Sequence, residues 1–388
     1  MVRRIDNSNV GSLSDIVITI LAVMVMVVSS FATFSFNITY AYWVLFGTIS
    51  IAVMMYPKIS LKLKHRLLLI FLYSIILWIM QSFLIRYRGS QLHAFAPTSL
   101  ANMFNGVLMG FFFVFYPIKK RLLKALMYAD LVLFLMIVVV NKSSFDMLSL
   151  SETASGVSIL TLSLSYVIPV LYLDYRDENK ICIFPLLLQM AVALFIDSRT
   201  GLGTSALLLV FALLIGVLSS RKNSERILTA LALGAVFIAA IYMVFINVSD
   251  FGSVSRTLEY GTDLTGRGNI WDVYFYDFTL QDIIYGRNII GFNEGPWQNA
   301  HNSFIQLHSS VGIIGVIIML IGIRVFLFYL KRELFFSLVM ACLFFFAFFN
   351  AVFFFYVHDW CVYIFFFEFL RVRGMNKLHK RQIKVSIL

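Results

Sequence analysis

The sequence predicts an all-α protein that crosses a membrane about twelve times, and three observations carry that prediction. The chain is 60% hydrophobic and only 13% charged, whereas a soluble domain is roughly half apolar and a quarter charged. Its apolar segments repeat at about 20 residues, the length of one helical bilayer crossing. Its basic residues gather in short runs between those segments, as they do where Lys and Arg set membrane topology. A soluble core could not hide the apolar surface of 388 residues that include 40 Phe.

Taken in order, the expected spans are 14–35, 38–56, 67–85, 98–116, 122–141, 156–173, 181–197, 201–219, 227–247, 304–330, 334–356 and 358–370. The first two are parted by the polar break around "SFNIT", and the third follows "KISLKLKHR". "RYRGSQ" precedes the fourth, "KKRLLK" the fifth, "DYRDENK" the seventh and "RKNSER" the ninth. "KRE" separates the tenth from the eleventh, and the short twelfth runs into the basic tail "RVRGMNKLHKRQIK". The first apolar stretch is long enough to span and lacks a small-residue cleavage site, so no cleavable signal peptide is expected. No internal repeat is apparent.

An even number of spans puts both termini on one side. The segments on that side carry 23 of the 31 Lys and Arg; the opposite side carries seven, and Arg324 lies within the tenth span. This asymmetry predicts cytoplasmic termini. The net charge of +11 therefore encodes topology, and nucleic acid is not an expected partner. Cys182, Cys342 and Cys361 all lie in apolar segments with no disulfide or metal-ligand spacing.

The whole chain reads as one integral membrane domain, 1–388, with a single long polar loop at 248–302 on the outer side. Long loops inside compact domains are usually functional or disordered. This one contains Trp271, Trp297 and a candidate helix, "GNIWDVYFYDFTLQDI", in which Ile270, Tyr274 and Phe278 recur at helical spacing. That face is expected to pack on the membrane domain.

Three outward segments carry the chemistry: "DSRTGLG" at 197–203, "DLTGRGNIW" at 263–271 and "AHNS" at 300–303. Each opens a helix, and helix N-termini offer free N–H groups and the positive dipole end to anions. Arg199 and Arg267 sit at two of them, and the guanidinium fork matches phosphate oxygens. The loop also holds seven carboxylates, with which Arg256, Arg267 and Arg287 can pair instead. His301 can be a helix-capping histidine as well as a catalytic one, and His308, one heptad on, can share its face or bond inside the bundle. Some classes are disfavoured. No phosphate-binding G-x-x-x-x-G-K-[ST] occurs, nor does H-E-x-x-H. The first outer loop has no carboxylate, unlike transferases with an acidic metal ligand there. Few charges, Asp130 among them, lie deep in the spans, which argues against a proton-coupled transporter.

In combination, "SRTG" before a span, "TGRGNIW" in a long outer loop and "AHNSFIQLHSSVGIIG" closing it resemble the O-antigen polymerase and ligase superfamily (Wzy/WaaL-like). The sequence-specific part covers about 35 of the 388 residues. The ligase signature of His-Asn, nine residues, Gly, two residues, Gly is met by His301, Asn302, Gly312 and Gly315. "TGR…W" followed by "HNSFIQL" looks more like the polymerases. The resemblance implies a GT-C-like glycosyltransferase of the bacterial inner membrane with a periplasmic active site. It implies transfer of a glycan from undecaprenyl pyrophosphate with inversion and with no metal or other cofactor. The implied catalytic residues are Arg199, Arg267 and His301, with Asn302, Arg256, Arg287 and Trp271 expected to bind substrate. The implied partners are the lipid-linked oligosaccharide, as donor and acceptor, membrane lipid and a chain-length regulator. The polymerase is the expected activity, with the ligase as the alternative and a lipid-linked oligosaccharide flippase a third class. His301 would act as general base or as a phosphate-binding cation.

Overall fold

A computed structural model describes residues 97–115, 120–141, 156–178, 181–195, 199–219, 271–272, 274–287, 302–350, 353–354 and 359–387, with a few positions between 20 and 27. Among these residues every regular element is helical. In chain order they are α1 (Pro97–Phe115), α2 (Lys120–Asn141), α3 (Gly156–Glu178), α4 (Phe184–Phe195), α5 (Arg199–Ser219), α6 (Leu280–Tyr285), α7 (Ser303–Val311), α8 (Ile313–Leu330), α9 (Leu334–Phe349) and α10 (Trp360–Ile387). The spans expected at 14–35, 38–56, 67–85 and 227–247 lie essentially outside the described residues. Among the described residues one helix, α8, is long and apolar enough on its own to cross a membrane, by length and composition.

The core is built around α3. Every residue from Leu160 to Asp174 is buried, so this stretch has no solvent face and its Ser and Thr hydroxyls must bond internally. Ser163 Oγ donates its one hydrogen to Gln189 Oε1 on α4 (2.5 Å) and lies 3.0 Å from the Leu160 carbonyl, and Ser165 donates to the Leu162 carbonyl (2.5 Å). Pro169 lies inside α3. Proline has no N–H, so the carbonyl four residues back loses its helical partner. That carbonyl belongs to Ser165, and the fully buried Trp360 donates its indole Nε1–H to it at 2.7 Å. The missing backbone bond is thus replaced from α10.

α1 and α10 pack closely because two small residues recur four apart on α1. A Cβ on Gly106 would lie 2.7 Å from Asp359 Cβ, and one on Gly110 would lie 2.7 Å from Tyr363 Cβ. Backbones approach this closely only where one helix lacks side chains. Away from this seam the packing is aromatic, with T-shaped pairs such as Phe328–Phe369, Tyr166–Trp360 and Tyr329–Phe336.

At one end of the bundle, polar groups from several helices meet. Lys124 of α2 pairs with the buried Asp174 of α3 at 2.9 Å. Tyr172 of α3 donates to Glu368 of α10 at 2.7 Å, and Arg371 bonds both Glu368 oxygens at 2.6 Å. Tyr175 reaches Glu333, just before α9, at 3.5 Å. These helix ends belong to segments that the Lys/Arg count assigns to a common side.

Several boundaries correct the expectations. The tenth span, expected as one run over 304–330, is two helices broken at Gly312. The eleventh stops at Phe349, with Asn350 as its C-cap, instead of reaching 356. The twelfth, expected to be short, opens a 28-residue helix. The seventh, expected from 181, starts as a helix at Phe184, and its expected end at 196–197 lies outside the described residues.

Candidate active site

α5 begins at Arg199, so the "SRTG" segment opens a helix as expected. Its second residue, Thr200, is tied to the far end of α9: Asn350 Nδ2 donates to Thr200 Oγ1 at 3.1 Å and to the Phe346 carbonyl at 3.0 Å. On its other side the Asn350 carbonyl accepts from Ser303 Oγ at 2.5 Å, and Ser303 Oγ accepts from the Phe353 N–H at 3.2 Å. Asn302, Ser303 and Asn350 are all buried. One asparagine therefore joins the start of α5 to the start of α7, segments about a hundred positions apart in sequence. Buried polar groups require partners, and these partners come from three elements, so the joint fixes their mutual geometry.

Asn302 is the N-cap of α7. Its side-chain oxygen accepts from the N–H groups of Phe304 (2.9 Å) and Ile305 (3.1 Å), with extended backbone at φ −150°, ψ 117°. Asn is among the best residues for this position. Two helix N-termini, α5 and α7, meet at this joint, and each carries the positive end of a helix dipole. Phe354 nearby has φ 81°, a left-handed conformation rare for a large side chain, and its ring packs 5.9 Å from that of Phe304.

The loop segment 271–287 docks on the same region. The expected continuous helix instead breaks at Tyr276–Asp277, where Asp277 has φ 49°, and restarts at Leu280. Thr279 and Asp282 form a capping box: the Thr279 side chain accepts from the Asp282 N–H, and the Asp282 carboxylate accepts from the Thr279 N–H at 2.9 Å. Of the expected apolar face, Tyr274 is buried with Ile305 and Phe278 packs beside them; Ile270 lies outside the described residues. Trp271 stacks edge-on against Phe348 of α9 with ring centroids 5.1 Å apart, two positions before Asn350. His308 is the fastener. Its Nε2 lies 3.1 Å from the Ile283 carbonyl, which can only accept, so Nε2 carries the proton. Nδ1 then accepts from the Tyr274 hydroxyl at 2.6 Å. Of the two roles open to His308 in the sequence, bonding inside the fold is the one observed.

Two glycines make this docking possible. Gly286 (φ 76°) would bring a Cβ within 2.4 Å of the His308 carbonyl oxygen, and Gly312 (φ 56°) would bring one within 2.2 Å of the Ile284 carbonyl oxygen. Both positions combine a backbone conformation that favours glycine with a close approach of main chains. The "H-N…G" spacing thus corresponds to a capped α7 that ends where α6 lies against it.

The expected site residues fall out as follows. Asn302 adjoins Ser303 at the joint, and Trp271 packs on Phe348, two positions before Asn350. Arg287 is nearby, and its guanidinium Nη1 donates to the backbone carbonyls of Tyr274 (3.1 Å) and Tyr276, fastening the turn. Arg199 is placed as the first residue of α5, its side chain outside the described residues. His301, directly preceding Asn302 in the chain, lies outside the described residues, as do Arg267 and Arg256. Thr200, Ser303 and Asn350 are site residues that sequence reading missed. The signal for Asn350 was present as the lone polar residue in "FFFAFFNAVFFF", a costly group to bury without a purpose. Among the described residues no three His, Cys, Asp or Glu side chains stand together as a metal site would need. Compared with family models, with curated proteins and with solved structures, the chain matches none.

Proposed function

We propose that this protein is an inverting polysaccharide polymerase that joins undecaprenyl-pyrophosphate-linked repeat units at the periplasmic face of a bacterial inner membrane. In this reading it is a GT-C-like membrane protein of about twelve spans. The observation that carries the reading is the Asn350 joint, which brings the "SRTG" and "HNS" segments together and has the Trp271 segment packed beside it. Separated motifs that share one buried polar joint are what a composite site requires.

The chemistry follows from the residue types. The acceptor sugar hydroxyl attacks the anomeric carbon from the side opposite the pyrophosphate. The new C–O bond forms as the C–O bond to phosphate breaks, and the carrier pyrophosphate leaves with the electron pair. His301 takes the hydroxyl proton; an imidazole with an ordinary pKa of about 6.5 suits that role. Arg199 and Arg267, with the N-termini of α5 and α7, meet the charge on the leaving pyrophosphate. Membrane residence is supported by α8, whose 18 residues, with Arg324 the one charge among them, are only 22% buried. A core helix of that composition in a soluble protein would be mostly covered.

A second reading, ligation of finished glycan to lipid A core, is favoured by one observation: the two glycines of the ligase spacing have steric roles, Gly312 against α6 and Gly315 against Leu307 and His308 of α7. A flippase is less favoured, because the buried Asp174 and Glu368 are paired with Lys124 and Arg371. Deletion of the gene separates the first two. The expected result is lipopolysaccharide core capped with at most one repeat unit. Bare core with long polymer accumulating on the lipid carrier would replace the polymerase with the ligase.

A further inference from the structure

We infer that α6 and the turn before it form an interfacial patch that rests in the outer leaflet of the bilayer, beside the proposed site; this rests on the membrane reading above. None of the six residues of α6 is buried. Leu280 is 71% exposed, and Ile283, Ile284 and Tyr285 are exposed too. Phe275 and Tyr276, at the preceding turn, are 55% and 77% exposed. Six large apolar or aromatic side chains within eleven positions are therefore uncovered, whereas scattered single exposures are what an ordinary surface shows.

These side chains cannot turn inward, because α6 is held by its backbone. The Ile283 carbonyl accepts from His308, and the main chain at Ile284 and Tyr285 lies directly against Gly312, where no Cβ would fit. Gly312 is also where α8 begins. The outward row of α8, Ile313, Ile317, Leu320 and Leu327, is exposed and starts at the residue after that contact. The uncovered patch on α6 is thus continuous with the exposed stripe of the helix best suited to lipid. It meets that stripe at its rim, the level of the headgroups.

The composition of the patch selects the occupant. Residues 274–286 contain no Lys or Arg, so neither an acidic protein nor an anionic polymer is favoured. The Asp282 carboxylate is engaged in the capping box. Tyr276 and Tyr285 have the amphipathic rings that concentrate at membrane interfaces, and Leu280 and Ile284 share a helix face at i, i+4. The patch fits a zwitterionic lipid surface, with the apolar side chains immersed a few ångströms below the headgroups, roughly the depth of an interfacial helix. It would hold the loop, and through His308 the last turn of α7, near the height where a lipid-borne pyrophosphate emerges.

The test is nitroxide accessibility in the full-length protein, with Cys182, Cys342 and Cys361 replaced by Ala, in phosphatidylcholine vesicles. Labels are placed through Leu280→Cys, Ile284→Cys and Leu320→Cys. Leu280 and Ile284 are already exposed, so the substitutions remove little packing. The expected result is that labels at 280, 284 and 320 all collide preferentially with oxygen, which partitions into lipid, over a water-soluble nickel chelate. A label at 280 that favours the chelate overturns the inference. So does a label at 280 shielded from both reagents, which would mean that protein covers the patch. The label at 320 keeps the two readings apart: if it favours the chelate, the membrane reading itself fails, and if it favours oxygen while 280 does not, only the interfacial patch fails.

Discussion

Asn302 shows how one side chain can be asked two questions. Its observed task is to cap α7, and truncation to Ala should lower stability by about 1 kcal/mol. Asp caps equally well, and its charge is favourable at a helix N-terminus. Under the proposed function, Asn302→Asp should therefore keep the thermal midpoint of the purified protein while transfer falls, because the new carboxylate would compete with the proposed pyrophosphate for the same dipole end. Equal activity in the Asp variant would mean that no anion binds at the start of α7. His301 divides differently. As a general base it contributes about 10²–10⁴-fold, and neither His301→Lys nor His301→Arg should restore that at neutral pH. Substantial polymer formation by the Lys variant would assign His301 to phosphate binding instead.

At the scale of elements, the exchange between α3 and α10 offers a clean measurement. Trp360 donates to the Ser165 carbonyl that Pro169 leaves without a helical partner. Trp360→Phe should cost about 1–3 kcal/mol for the orphaned buried carbonyl, in addition to the lost packing. Pro169→Ala restores a backbone N–H at the position that carbonyl expects. The double variant should then be less destabilised than the two single changes added together, read as a coupling energy from denaturation midpoints. Strict additivity would show that the indole bond does not compensate for the proline. The split of the expected tenth span has a similarly local cause. Gly312 at φ 56° ends α7 and starts α8, and the main chain of α6 occupies the space a side chain would need.

For the whole molecule, the Lys/Arg asymmetry makes a prediction about sidedness. Cysteines introduced at Asp250 and Asn293 should react with a membrane-impermeant thiol reagent in intact cells, and one at Asn223 should not. Labelling at Asn223 alone would invert the expected topology and remove the proposed periplasmic site with it. Lys124–Asp174, Tyr172–Glu368 and Tyr175–Glu333 join helix ends assigned to one side, and Thr200–Asn350–Ser303 joins ends assigned to the other. The two groups are separated by α9, whose 16 residues span about 24 Å as a helix.

The sequence alone determined the helical class, because apolar runs of bilayer length leave the backbone few ways to satisfy its hydrogen bonds. It also located α1, α2, α4 and α5 at both ends to within a few positions. Only the tertiary structure decided what binds the segments together. Nothing in the local pattern around Asn350 says that its amide meets Thr200 and its carbonyl meets Ser303, since those partners come from distant parts of the chain. Hydrophobic periodicity likewise could not reveal the break at Gly312, because an apolar run reads the same whether it is one helix or two. That break follows from the main chain of α6 approaching too closely for any Cβ, a contact between segments far apart in the chain that no local window of residues contains.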